Sequence, residues 1–235
     1  MNHFLSVQKM VFLKYCVKHL VRLSREIMAV IAVIDYDAGN LHSACKGVEA
    51  AGGEAIVTDS ASVLAQADGI LLPGVGAWDP TLQSIRSHHL EQPIKDAIAS
   101  GKPFLGICMG LQVLFESSDE GNDPGLGIVP GRVRKFKPEP GIRIPHMGWN
   151  QLHLTQPQAP LWKSTPEESW MYFVHSYYVD PTESSIIAAT ITHGTQTIAA
   201  AIAHKNLMAV QFHPEKSSDS GMALLANFVR LAQIS

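Results

Sequence analysis

Cysteine is scarce in this chain: Cys16, Cys45 and Cys108 are the whole complement, widely spaced and odd in number. Three such residues make no disulfide framework; they suit a reducing compartment, so the cytoplasm is the expected location. Acidic residues outnumber basic ones only slightly, 21 to 18. The formal net charge is -3, which gives no electrostatic reason to expect a nucleic-acid partner. No apolar run reaches the roughly 18–20 residues that cross a bilayer, so no membrane partner is expected either. H-E-x-x-H and paired Cys/His spacings are missing, which argues against a metal. No G-K-[ST] occurs, and Gly74-x-Gly76 lacks the third glycine of a dinucleotide loop, which leaves a nucleotide binder poorly supported. Neither metal nor organic cofactor is expected. Internal repeats and low-complexity linkers are missing too.

What the chain does have is apolar substance. Of its 235 residues 46% are hydrophobic, enough for one large α/β domain, while two full domains would be a squeeze. Residues 1–27 stand apart from it. Lys9, Lys14, Lys18, Arg22 and Arg25 face the single acid Glu26, and Phe12, Cys16, Leu20 and Leu23 recur at helical spacing. This segment is either a basic amphipathic surface or targeting helix, or an extension without a role preceding a true start at Met28. The second reading is preferred, and the domain is expected to span 28–235. Peptides upstream of Met28 in the native protein would overturn it.

From Met28 the punctuation is regular. Ala29 to Tyr36 reads as a buried strand. A helix follows with Leu41, Ala44, Cys45 and Val48 on its apolar face, stopped by Gly52-Gly53. Ala55 to Thr58 is a short strand, a helix runs through Val63 and Leu64, and Gly69 to Leu72 is a strand ending in Pro73-Gly74-Val75-Gly76. One long helix is expected from Pro80 to Ala99, with His88 and His89 on its solvated surface, and then a strand from Lys102 to Ile107. This alternation implies right-handed βαβ units and a parallel sheet covered on both faces, with the ligand site beyond the carboxyl ends of the strands. Beyond Gly127, β-branched and aromatic runs suggest further strands with antiparallel additions and a last helix from Ser220 to Ile234.

Two motifs fall at that edge. Gly106-Ile107-Cys108-Met109-Gly110 is the cysteine form of a strained strand-to-helix elbow, in which a Cβ at either glycine would meet neighbouring backbone. It would lift the thiol to the N-terminus of a helix expected from Met109 to Glu116 and leave the Met109 N–H free for an oxyanion. Alone, the elbow is equally compatible with a buried cysteine beside a tight turn, the reading that suits Cys45 and Cys16. The second motif is Gln211-Phe212-His213-Pro214-Glu215-Lys216. If the segment is extended, His213 and Glu215 share a face, and Pro214 holds His213 to extended geometry. A carboxylate beside an imidazole fixes its tautomer and steadies imidazolium. Together the two motifs favour a Cys108-His213-Glu215 triad.

Cys108-Met109-Gly110-Leu111-Gln112 and His213-Pro214-Glu215 resemble the class I glutamine amidotransferases, and the resemblance runs from Met28 to near the C-terminus. Pro73-Gly74-Val75-Gly76-Ala77, Ile144-Pro145-His146-Met147-Gly148-Trp149-Asn150 and Tyr172-Phe173-Val174-His175-Ser176-Tyr177 look like one branch. That branch supplies ammonia to a (β/α)8-barrel cyclase subunit in histidine biosynthesis. Trp78 stands where phenylalanine is usual, and residues 1–27 lie outside the pattern. The resemblance implies a three-layer, mostly parallel mixed sheet flanked by helices, of flavodoxin-like type, and glutamine as substrate. It implies an oxyanion hole at Met109 and the Gly74-Val75 turn. Gln112 and Glu120 would hold glutamine, Glu120 through the α-ammonium group, with Gly76 and the Ser176-Tyr177 backbone seating it. Met147, Trp149, Tyr172 and Lys216 would face the partner. β-Branched Val75 resists positive φ, so the turn is expected to rest with its N–H turned away until the loaded partner docks. The rivals are an ammonia supplier for anthranilate or aminodeoxychorismate synthesis, against which the Pro145–Asn150 stretch speaks, and a catalytically dead scaffold, against which the intact triad with Gln112 speaks.

Overall fold

A run such as Val30-Ile31-Ala32-Val33-Ile34 is apolar at every position, so a strand built from it needs cover on both faces. The computed structural model describes residues 28–37 and 39–234; the extension and its expected helix lie outside the described residues. The first half alternates as the punctuation requires: β1 (Val30–Ile34), α1 (Leu41–Ala50), β2 (Glu54–Thr58), α2 (Ala61–Gln66), β3 (Gly69–Leu72), α3 (Trp78–Ser87), α4 (Glu91–Ala99), β4 (Phe104–Ile107) and α5 (Met109–Gln112). Strands then dominate: β5 (Ser117–Ser118), β6 (Gly131–Lys135), β7 (His146–Gln151), β8 (His153–Leu154), β9 (Trp170–His175) and β10 (Tyr177–Pro181). β11 (Ile187–His193), β12 (Gln196–His204), β13 (Leu207–Val210) and the helix α6 (Ser218–Gln233) complete the chain.

The main sheet runs β2-β1-β3-β4-β13-β12-β11-β8. From β2 to β13 neighbours are parallel, and β12, β11 and β8 extend it antiparallel. Side chains alternate faces along each strand, which divides the core in two. Ile31 and Val33 pack with Ala44 and Val48 of α1 and with Leu224, Leu225 and Phe228 of α6. Ala32 and Ile34 pack on the other side with Leu64 of α2, Leu82 and Ile85 of α3 and Ile94 of α4. The result is the expected helix–sheet–helix sandwich. The further strands expected beyond Gly127 do not all join it: two smaller sheets, β10-β6-β5 and β7-β9, sit beside it.

The long helix expected from Pro80 to Ala99 is broken into α3 and α4. In a continuous helix the Pro93 ring would collide with the carbonyl four residues back, that of His89. His89 leaves the helix with φ of 56°, and Leu90 turns into the core as the N-cap of α4. Nor is His88 simply solvated, since its Nε2 lies 2.7 Å from Asp37 Oδ2.

Register decides where the motifs meet. Gly106 of β4 lies opposite Leu72 of β3 on one side and Ala209 of β13 on the other. The 73–76 turn, the cysteine elbow and the segment from Gln211 to Lys216 therefore leave three adjacent parallel strands at the same edge.

Candidate active site

The elbow is built by close approach of backbone. A Cβ on Gly106 would stand 2.5 Å from the Gly110 carbonyl oxygen, and one on Gly110 2.0 Å from that of Leu72. Gly74 leans on the same turn, its absent Cβ falling 2.6 Å from the Gly110 nitrogen. Between them Cys108 takes φ 54°, ψ -107°, and its N–H is tied to the Val210 carbonyl at 2.8 Å. A non-glycine residue in that region carries roughly 1–3 kcal/mol of strain, held in place by the surrounding packing. Among the described residues, no hydrogen bond engages the N–H of Met109, Gly74, Val75 or Gly76. Val75 avoids positive φ, and Gly76 adopts it instead, at 108°.

The helix after the cysteine is shorter than expected, one turn instead of a run to Glu116. The Val113, Leu114 and Phe115 carbonyls accept N–H groups of Leu126, Ile128, Val129 and Gly127, which leaves no ladder to continue the helix. A single turn aligns few peptide dipoles, so it does little to steady negative charge on the sulfur.

His213 is extended, at φ -103°, as a residue before proline should be. Glu215, however, lies in a 3-10 turn, Pro214–Lys216, and not in an extended strand. The turn, not strand alternation, brings Glu215 Oε1 to 2.9 Å from His213 Nδ1, with both side chains buried. Nε2 of His213 is buried, and Cys108 is the group besides Glu215 that bears on the ring. Burial works against its charge, but Cys108 and Glu215 outweigh that and push the imidazole up to about 9. Nearby, Tyr36 donates to the Pro73 carbonyl at 2.8 Å; burial and then the Cys108 charge raise its phenol.

Two glutamines close the other side. Gln112 Nε2 donates to the Tyr177 carbonyl (3.3 Å) and to Gln211 Oε1 (3.0 Å), and Gln211 Nε2 lies 3.6 Å from Cys108 Sγ. Oε1 of Gln112 is buried with no donor. The Ser176 carbonyl accepts from Phe136 N–H, and that of Tyr177 also from His175 Nδ1 at 2.7 Å. His175 accepts in turn from His146, with 3.1 Å between His175 Nε2 and His146 Nδ1. Burial holds both imidazoles well below the usual range, at about 3 for His175 and about 4 for His146.

Glu120 is half-buried and accepts from the Trp78 N–H at 3.0 Å. Burial lifts its carboxyl, the Trp78 N–H pulls it down, and the Asp79 charge adds to the rise. Its loop is fastened by Asp79, which accepts from Asn122 and Asp123 N–H at 2.9 Å each, and by Trp78 Nε1 on the Asp123 carbonyl. Met147, Trp149 and Lys216 are exposed. Trp149 of β7 pairs with Tyr172 of β9, their rings 6.1 Å apart. Tyr172 meets the turn after His213 directly: its carbonyl accepts the His213 N–H (3.0 Å), and its N–H donates to Ser217 Oγ (2.9 Å). Three cavities of about 360, 200 and 250 Å³ lie elsewhere, none of them bordered by Cys108. Chemistry, not cavity size, marks this site.

Sequence reasoning gave no role to Gln211, Tyr36 or Asp79. Gln211 was legible, since it stands two residues before His213. Tyr36 and Asp79 act across the fold and carry no local signal.

A family model described as "Glutamine amidotransferase class-I" matches residues 32–232. An "Imidazole glycerol phosphate synthase subunit HisH" from Trichormus variabilis is 68% identical over 202 residues, covering 86% of this chain and 96% of the relative. Another of that description, from Acaryochloris marina, is 63% identical over 206 residues, covering 88% and 96%. Among solved structures, a "glutamine amidotransferase" aligns with TM-score 0.67 at 16% identity, covering 86% of this chain and 98% of its own. The glutaminase domain of CTPS from Trypanosoma brucei aligns with TM-score 0.63 at 18% identity, covering 88% and 94%. At such identities the likeness is one of fold.

Proposed function

The chain belongs to the class I glutamine amidotransferases, and from that premise we propose that it is the glutaminase subunit of imidazole glycerol phosphate synthase in histidine biosynthesis. It hydrolyses glutamine to glutamate and passes the ammonia to a (β/α)8-barrel cyclase subunit, which makes imidazole glycerol phosphate and AICAR. The domain that does this spans 28–235 and works in the cytoplasm; among the described residues no helix is long and apolar enough to cross a membrane.

Cys108 Sγ attacks the side-chain amide carbon of glutamine, and the oxyanion is met by the N–H of Met109 and one from the Gly74-Val75 turn. The lack of partners on these N–H groups supports that role. His213 takes the thiol proton and gives it to the nitrogen as the C–N bond breaks and ammonia leaves. It then draws a proton from water, which attacks the thioester, frees glutamate and returns the sulfur. Glu215 holds the imidazole throughout. Gln112, with its buried and unpaired Oε1, and Glu120 hold the substrate, and Gly76 with the Ser176-Tyr177 backbone seats it. Met147, Trp149, Tyr172 and Lys216 meet the cyclase.

One observation carries this mechanism: three adjacent strand ends deliver Cys108, the His213–Glu215 pair and the free N–H groups of the 73–76 turn to one edge. Cys108→Ala is expected to abolish glutamine hydrolysis while ammonia-driven synthesis by the cyclase continues. Glutaminase turnover above background in that variant would overturn it.

A further inference from the structure

We propose that Gln211 is a further catalytic residue: its side-chain N–H donates to Cys108 Sγ, and Gln112 fixes which end of the amide faces the sulfur. The inference rests on the reading of Cys108 as nucleophile and adds to it the group that steadies the sulfur before attack.

Orientation follows from the hydrogen bonds themselves. The Tyr177 carbonyl can only accept, so the end of Gln112 that touches it, at 3.3 Å, is the NH₂ end. That same nitrogen lies 3.0 Å from Gln211, whose facing atom must then be its oxygen. The NH₂ end of Gln211 is thereby turned to the sulfur, at 3.6 Å. Gln211 is fully buried and its backbone N–H is bound to the Ala200 carbonyl at 2.8 Å, so its main chain is fixed as well as its side-chain amide.

Electrostatics give this donor its importance. Cys108 is only 8% exposed, so water solvates little of a thiolate there. The helix behind it is a single turn, Met109–Gln112, and the N–H of Met109 is set aside for the oxyanion. A donor on the sulfur favours its charged form and leaves a lone pair aimed outward. The titratable groups that bear on the sulfur are Tyr36 beyond β1 and His213, backed by Glu215, beyond β13. Neither duplicates Gln211: the phenol of Tyr36 is spent on Pro73, and the proton that His213 shares with the sulfur is the one it gives up during turnover.

Iodoacetamide alkylation of the full chain, followed across pH and assigned by peptide mapping, tests the idea. Gln211→Leu keeps the bulk without the donor, and Gln211→Glu keeps the shape but presents an acceptor. Both are expected to slow Cys108 labelling at neutral pH about tenfold and to move its pH midpoint upward by about one unit. A purely structural defect lowers the reactive fraction without moving the midpoint. Curves for either folded variant that superimpose on the parent would overturn the proposal and leave Cys108 as nucleophile. Labelling of Cys108 in the parent no faster than that of Cys45 would overturn both readings.

Discussion

At the scale of single residues the glycines of the elbow and His213 make the sharpest demands. A methyl group on Gly110 would fall 2.0 Å from the Leu72 carbonyl oxygen, which is backbone and cannot swing aside. Gly110→Ala is therefore expected to cost about 1–3 kcal/mol by overpacking and to take glutaminase activity with it, read by denaturant unfolding and a glutamate assay. A variant as stable and active as the parent would mean the turn is looser than its geometry says. His213 makes an electrostatic demand. Its folded value, about 9, lies above the ordinary 6.5, so the folded state holds the extra proton. That contribution is complete below pH 6.5 and lost as pH rises towards 9. Glu215→Gln removes one of the two partners, and its stability should decline less steeply over that interval.

Elements show where local pattern and tertiary context part company. Three buried parallel strands, β1, β3 and β4, could be read directly, because a short apolar run that ends at a turn has few other uses. The split of α3 from α4 was written in Pro93, yet the helical periodicity around it concealed the break. α5 ended early for a reason no local pattern holds: the carbonyls that would extend it are claimed by residues 126–129. The β7–β9 pair is the element on which partner binding can be tested. Met147 is 66% exposed and Trp149 48%, so little of the fold rests on them. Met147→Asp and Trp149→Ala are expected to weaken binding of the barrel subunit, measured by titration calorimetry, while moving stability by no more than about 0.5 kcal/mol. Unchanged affinity in both would remove this face from the interface.

For the molecule as a whole, histidines of opposite character bracket the pH of greatest stability. His146 and His175 are held neutral in the fold down to about 4 and about 3, while the unfolded chain takes up protons below about 6.5. Their effect is nil above that point and increasingly destabilising as pH falls through this range. His213 acts in reverse above it. Thermal unfolding should therefore show a maximum near pH 6.5, with an acid limb flattened by His175→Gln. An acid limb unmoved by that change would assign it to other groups. Assembly is expected to bear on activity too. Val75 leaves positive φ to Gly76, and the N–H groups of the turn wait without partners. Glutaminase turnover should rise from the free chain to the complex, and again when the complex holds its nucleotide. Equal rates in all three would dismiss gating at this turn.

Local pattern was enough for the sandwich, the cysteine elbow and the pairing of His213 with Glu215. Each depends on local things: which residues tolerate a sharp turn, which alternate, which residue precedes a proline. Long-range packing settled the rest: that Glu215 reaches His213 through a 3-10 turn, that α5 stops after one turn, and that Asp79 fastens the loop carrying Glu120. It also decided the chain of amides from Tyr177 through Gln112 and Gln211 to Cys108. These join residues up to 103 positions apart, and a hydrogen bond of that separation exists only once the strands have taken their register.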